Sequence, residues 1–168
     1  MTAKTGREMA GMAVVTLSGG ERLGRIDDVV FEPATGRVTG FMVDRGGMFS
    51  KPKFLPVGAV QSLGADAATV AGADTLLDTN PALGAAAELA AKPLEGRPVL
   101  SQAGTVLGKV SDVVLDTEAR IVTSLLLTTG LLDNALHGRP ALPFAHVRTI
   151  GVDSVIASND YDTKNPAT

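Results

Sequence analysis

Several acidic residues recur where they could act together as ligands for a hard cation. Asp28 and Asp112 occupy matching places in two similar segments of the chain. Close to them in the sequence lie Asp27, Glu32 and Asp116. Calcium and magnesium need several converging oxygen ligands, but neighbouring residues on a strand, such as Asp27 and Asp28, point to opposite faces. We therefore predict no metal site, and expect the repeated aspartates to accept hydrogen bonds from backbone N–H groups at a bend.

A glycine-rich segment at residues 104–109 has part of the pattern of a phosphate-binding loop. A P-loop needs four residues between its glycines and a Ser or Thr after its lysine. Here three residues separate Gly104 from Gly108, and Val110 follows Lys109. A strand pattern also continues where a P-loop requires a helix, so we expect no nucleotide site.

The two histidines, His137 and His146, lie only in the second half of the chain. His146 aligns with Ala59 of the first half, so the shared scaffold does not need an imidazole. No Gly-x-Ser-x-Gly motif, nucleophile–base pair or carboxylate dyad with suitable spacing accompanies them. We predict no catalytic residues and no cofactor, and interpret the chain as non-enzymatic.

Two segments of the chain are nearly copies of each other. Residues 23–31 (LGRIDDVVF) return 84 positions later as residues 107–115 (LGKVSDVVL). A Leu-Pro pair at Leu55 returns 87 positions later at Leu142, so the second copy has three extra residues in one loop. Such an internal repeat indicates two copies of one structural unit.

Each copy is expected to form a lobe of about five short strands, residues 11–71 and residues 96–157. The 19 glycines, nine prolines and many β-branched residues are typical of an all-β chain. Gly24 and Gly108, inside predicted strands, indicate a bulge or a barrel corner. We predict an all-β fold of two tandem small barrels. Lobes of roughly 60 residues are marginal alone, and they should pack on each other or on a partner.

The turn after the second strand of each lobe differs in sequence between the copies. Gly36 in the first copy can adopt a positive φ without cost, but its counterpart is Arg120. We therefore expect the two turns to be of different types.

The remaining segments are a connector and two tails. The connector, residues 72–95, contains an alanine-rich stretch at residues 82–91 that follows Asn80-Pro81, a typical helix start, and predicts a short helix. Residues 1–10 are expected to be an N-terminal tail, and residues 158–168 a flexible C-terminal tail.

Composition and charge disfavour several classes of function. The net charge is −3, and each predicted lobe has as many Lys and Arg as Asp and Glu, so neither offers a basic stripe for nucleic acid. No apolar run approaches the length of a membrane-spanning helix. The absence of cysteine leaves the redox compartment open, and a cytoplasmic location is the default expectation.

The repeated motifs resemble one known family. Leu-Gly-[Arg/Lys]-[Ile/Val]-x-Asp-Val-Val, a Val-Thr-x-x-[Met/Leu]-[Val/Leu] strand and Leu-Pro-x-x-x-Val, each present twice, are similar to the PRC-barrel domain. That fold occurs in the cytoplasmic part of the reaction-centre H subunit and at the C-terminus of the ribosomal small-subunit maturation factor. The resemblance implies a small, strongly bent β-barrel that docks onto other macromolecules and has no shared catalytic residues.

The two copies diverge most in a variable loop, residues 44–54 in the first lobe and 129–140 in the second. Both loops place bulky apolar residues beside cationic ones, and loops on rigid scaffolds often carry binding sites. The candidate partner-binding residues are Met48, Phe49, Lys51, Lys53, Leu131, Leu132, Leu136, His137 and Arg139. The other interpretation is that the apolar residues plug a barrel end or the seam between the lobes.

The functional interpretation is a protein-interaction or assembly module that acts as an adaptor. We expect a protein partner, not identified by the sequence, and a homodimer or larger homo-oligomer as one form of assembly. The alternative is an RNA- or ribosome-associated maturation factor, which rests on family analogy alone. The neutral lobes count against that alternative.

Overall fold

The structure is a computed structural model that describes residues 2–78, 89–129 and 140–161. Within these residues the only α-helix is a single turn, α1 (Gly6–Met9). The strands are, in chain order, β1 (Ala3–Thr5), β2 (Ala13–Thr16), β3 (Arg22–Phe31), β4 (Val38–Asp44), β5 (Lys53–Pro56), β6 (Val60–Leu63), β7 (Ala67–Val70), β8 (Leu89–Ala90), β9 (Pro98–Ser101), β10 (Val106–Asp116), β11 (Ile121–Thr128), β12 (Ala141–Pro143), β13 (Val147–Ile150) and β14 (Val155–Ala157). Short 3-10 turns occupy Val57–Ala59, Ala73–Thr75, Lys92–Leu94 and Phe144–His146.

The strands form two curled sheets with the same topology. The first sheet has the order β5-β4-β3-β2-β7-β6, and the second has the order β12-β11-β10-β9-β14-β13. In each sheet one central pair is parallel, β2 with β7 and β9 with β14, and the other neighbours are antiparallel. This matching order confirms an all-β chain of tandem repeats.

The segment that precedes each lobe packs on the other lobe. We call residues 2–10 and 89–95 the leading segments. Strand β1 pairs with β10 of the second sheet, and β8 pairs with β3 of the first sheet. Each of these short strands is followed by a helical turn, α1 in one case and Lys92–Leu94 in the other. The two lobes therefore exchange their leading segments.

The exchange changes our expectations for the ends of the lobes. Residues 2–10 are not a free tail, because they supply β1, α1 and the fully buried Met9. Leu89 and Ala90, expected to end a helix, instead form β8, because the backbone hydrogen bonds offered by β3 outweigh the helix propensity of leucine and alanine. The rest of that predicted helix, residues 82–88, lies outside the described residues.

The first residues of the predicted C-terminal tail are also packed on the second lobe. The backbone N–H of Ser158 donates to the carbonyl oxygen of His146 at 2.7 Å. Tyr161 is only 5% exposed, and its hydroxyl donates to the carbonyl oxygen of Ala141 at 3.1 Å. Residues 162–168 lie outside the described part of the chain.

One continuous apolar core joins the two lobes. Period-2 alternation buries one face of β4, where Phe41 and Val43 are buried and Met42 between them is only partly so. The leading segments add Met9 and Leu94, both fully buried. The lobes pack on each other, as their small size predicted.

The two turns that we expected to differ in type are built alike. Gly36 and Arg120 both have a positive φ, 78° and 56°. Each donates its backbone N–H four residues back, to the carbonyl oxygens of Glu32 and Asp116, at 2.8 Å in both cases. The prediction was wrong because the strain of a positive φ at arginine is offset by contacts of its side chain with the first lobe.

Candidate functional site

The variable loop of the first lobe presents two large apolar side chains to solvent. Met48 is 91% exposed and Phe49 is 93% exposed. The loop leaves β4 through two glycines with positive φ, Gly46 and Gly47. The carboxylate of Asp44 accepts the backbone N–H of Gly46 at 2.8 Å and fixes this departure. Met48 and Phe49 therefore do not plug the barrel or the seam between the lobes.

The cations of this loop are in different electrostatic situations. Arg45 and Lys51 are exposed. Lys53, on β5, pairs with the carboxylate of Asp78, and this hydrogen bond lowers the pKa of Asp78. Lys51 also helps to lower the pKa of Asp78, through its charge alone. The positive charge beside Met48 and Phe49 is therefore carried mainly by Arg45 and Lys51, while Lys53 is held in an ion pair.

The other half of the predicted site belongs to the variable loop of the second lobe. Leu131, Leu132, Leu136, His137 and Arg139 lie outside the described residues. Their role in partner binding stays a prediction.

The repeated aspartates hold the leading segments in place. Asp28 accepts the backbone N–H of Val29 at 2.8 Å and that of Lys92 at 3.0 Å. Asp112 accepts the N–H of Val113 at 2.8 Å and that of Arg7 at 3.2 Å. The prediction that these carboxylates bind backbone N–H groups is confirmed.

The electrostatics near Asp28 fit a structural role. Its side chain is buried, and burial raises the pKa of this carboxyl even though backbone hydrogen bonds lower it. The neighbouring Asp27 pairs with the ammonium group of Lys92 at 2.8 Å, which raises the pKa of that lysine. In residues 2–78, 89–129 and 140–161 no three His, Asp or Glu side chains are grouped as they would be to hold a metal ion.

The model of the PRC-barrel domain matches residues 1–77 and again residues 87–164. The chain belongs to the PRC-barrel family. PRC-barrel domains are generally non-catalytic. A search of the curated proteins finds no match.

Each PRC-barrel match starts with a leading segment. The first begins before β1, and the second begins just before β8. The family pattern therefore includes the strand and helical turn that each repeat places on its neighbour. Sequence reasoning started the lobes at residues 11 and 96, and so missed this part of the repeat.

The remaining residues that we weighed for chemistry have structural surroundings in the PRC-barrel fold. Gly24 and Gly108 lie beside register shifts in their sheets, and a Cβ at either would approach a facing backbone carbonyl oxygen, at 2.4 Å and 2.7 Å. The P-loop-like segment leads into strand β10. The ring of His146 lies 6.0 Å from that of Tyr161.

No helix among the described residues is long and apolar enough to cross a lipid bilayer.

Sequence reasoning also missed the residues that join the two PRC-barrels. The guanidinium group of Arg120 donates to the carbonyl oxygens of Val57 and Val60 in the first lobe, at 2.8 Å and 2.9 Å. The ring of Phe144 packs edge-on against Phe31, with ring centroids 6.4 Å apart. The sequence signal for this contact was the presence of Arg120 at the position where the first repeat has Gly36.

Proposed function

We propose that this tandem PRC-barrel protein is a non-enzymatic adaptor that assembles with a protein partner through the variable loop of its first lobe. The observation that carries the proposal is the exposure of Met48 and Phe49, 91% and 93%. Two adjacent large apolar side chains at a loop tip gain free energy by leaving water, and exposed apolar patches of this kind mark interaction sites. In the cytoplasm, the location we propose, a partner would provide their cover.

The charge around this tip indicates what kind of surface would fit it. Arg45 and Lys51 flank the apolar pair, and both are exposed. A complementary surface would have an apolar pocket for Phe49 and acidic groups at its rim, since rim charges guide association and suppress wrong partners. A second copy of this chain is one such partner, in a homodimer that pairs the loop with an acidic surface.

The proposal is tested by replacing the apolar pair. Met48→Ser with Phe49→Ser should weaken partner capture or self-association by about 1–3 kcal/mol, as expected for interface anchors. Sedimentation velocity reports self-association, and affinity capture from native lysate followed by mass spectrometry reports other partners. Leu17→Ser is the matched control, because Leu17 is also an exposed apolar residue, 64% exposed, but lies outside the loop.

The same variant also tests our assignment of the two side chains as exposed. Its midpoint of urea denaturation should stay close to that of the wild type, because changes at exposed sites usually alter stability by less than about 0.5 kcal/mol. A variant that loses no partner and sediments as the wild type does would contradict the proposed docking role. A strongly lowered midpoint would instead mean that the pair supports the fold.

A further inference from the structure

The two lobes meet at a junction with reciprocal backbone hydrogen bonds. The N–H of Val38 donates to the carbonyl oxygen of Arg120 at 3.0 Å, and the N–H of Val122 donates to that of Gly36 at 2.7 Å. Val38 matches Val122 between the repeats, and Gly36 matches Arg120. The backbone of the junction therefore has the symmetry of a two-fold axis. By its backbone alone, each lobe could pair with a copy of itself.

The side chains at this junction break the symmetry. On one side, Arg120 reaches across and donates to the carbonyl oxygens of Val57 and Val60 at 2.8 Å and 2.9 Å. On the other side, Gly36 has no side chain. A Cβ there would lie 2.8 Å from the carbonyl oxygen of Val122 and 3.2 Å from two ring carbons of Phe144. The space that an arginine would need is already filled by the ring of Phe144.

The residues that face Gly36 and Arg120 also differ between the repeats, and their sizes are complementary to the residues they face. Phe144 is the counterpart of Val57 at the offset of 87 positions that relates this part of the repeats. Glycine thus faces the large phenylalanine, whose ring packs against Phe31 of the first lobe. Arg120 faces the smaller Val57 and donates a hydrogen bond to its carbonyl oxygen. Each substitution in one repeat is matched by a substitution in the other.

Pairs of like lobes would lose this match. Two second lobes would bring Arg120 against Phe144 at both ends of the junction, where no room exists for the arginine chain. Two first lobes would bring Gly36 against Val57 at both ends. That pair would lack the arginine hydrogen bonds and would leave the space of the phenylalanine ring unfilled.

We propose that the glycine–phenylalanine and arginine–valine contacts form a recognition code that makes this face of each lobe specific for the unlike lobe. The occupant of the face is the other repeat, from the same chain or from a second copy that exchanges lobes. Rejection of the like lobe comes from a steric clash, and acceptance of the unlike lobe from filled space and hydrogen bonds. The code does not involve the variable loop, so it stands whether or not that loop binds a partner.

The code can be tested by cutting the connector of the complete protein. A protease site inserted between Asp78 and Leu89 would be cleaved after folding, and the nicked protein would then be unfolded in urea and refolded. Native mass spectrometry distinguishes the three pairs, because the two halves differ in mass. We expect unlike pairs to exceed like pairs by about tenfold or more, since like pairs lose hydrogen bonds or gain a clash. Equal shares of like and unlike pairs would overturn the proposal.

Two variants identify the residues responsible. Arg120→Gly in the nicked protein should raise the share of pairs between two second lobes several-fold, because the chain that meets Phe144 is removed. Phe144→Val opens the same space from the opposite side and should act in the same direction. Glu118→Gly is the control, because Glu118 is exposed on the same turn and is not one of the four residues that form the code. An unchanged share of such pairs in both variants would also overturn the proposal.

Discussion

The carboxylate of Asp28 accepts the backbone N–H of Lys92 at 3.0 Å, across 64 positions of sequence. A strand of the first lobe thereby holds the segment that leads into the second. Asp112 does the same in reverse, because it accepts the N–H of Arg7 at 3.2 Å. Two equivalent aspartates thus fix the exchange of leading segments between the lobes.

The burial of Asp28 predicts a dependence of stability on pH. Because desolvation raises its pKa above the ordinary 3.8, the folded protein retains a proton that the unfolded chain has released. Protonated Asp28 therefore contributes fully to stability at a pH below the ordinary pKa of 3.8. This contribution declines as the pH rises through the raised pKa of the folded protein. Relative to an Asp28→Asn variant, the wild type should lose free energy of unfolding as the pH rises above 3.8 and through the raised pKa.

Urea denaturation across this pH range measures the difference between wild type and variant. Asp66→Asn, at an exposed position, shows the effect of removing one surface carboxylate. If the wild type and Asp28→Asn gave parallel curves of unfolding free energy against pH, the raised pKa would not contribute to stability.

The burial of Met9 predicts that the first ten residues are essential to the fold. Met9 is fully buried, so Met9→Ala should lower the free energy of unfolding by about 2–5 kcal/mol. Met48→Ala makes the same chemical change at a position that is 91% exposed, and should change it by less than about 0.5 kcal/mol. Chemical denaturation of both variants checks the contrast. Equal, small effects would mean that the N-terminal segment is a tail.

The crowding at Gly36 predicts that a larger residue there lowers the free energy of unfolding, because its side chain would meet atoms of the second lobe. Gly36 and Gly20 both have positive φ, 78° and 67°, so alanine at either should cost about 1–2 kcal/mol. A Cβ at Gly20 meets nothing within 4 Å, whereas one at Gly36 meets Val122 and Phe144. Gly36→Ala should therefore cost a further ~1–3 kcal/mol. Thermal and urea denaturation compare the two variants, and similar losses would count against tight packing at the junction.

The sequence predicted those features that depend on local pattern. Matching motifs predicted two sheets of matching order, and glycines inside the predicted strands indicated the irregularities beside Gly24 and Gly108. The role of Asp28 and Asp112 was predictable too, because adjacent aspartates on a strand diverge and cannot converge on a metal. Each inference used residues within a few positions of one another, or compared one such short pattern with its repeat.

The features that the sequence did not predict all depend on distant residues. Arg120 adopts a positive φ because its side chain binds the carbonyl oxygens of Val57 and Val60, about 60 positions away. Ala90 joins a strand because β3 has a free edge where it arrives. Lys53 is paired because Asp78 returns beside β5. No local sequence pattern indicates these distant contacts.

The exchange of leading segments also has a consequence for the order of events during synthesis. The N–H of Arg7 bonds to a carboxylate 105 positions later in the chain, so residues 2–10 reach their place only after the second lobe has been synthesised. The first barrel is likewise incomplete until residues 89–94 have emerged to cover β3. Contacts of such long sequence separation slow folding and leave apolar surface open in the meantime. Completion of either barrel is therefore tied to translation of the second half of the message.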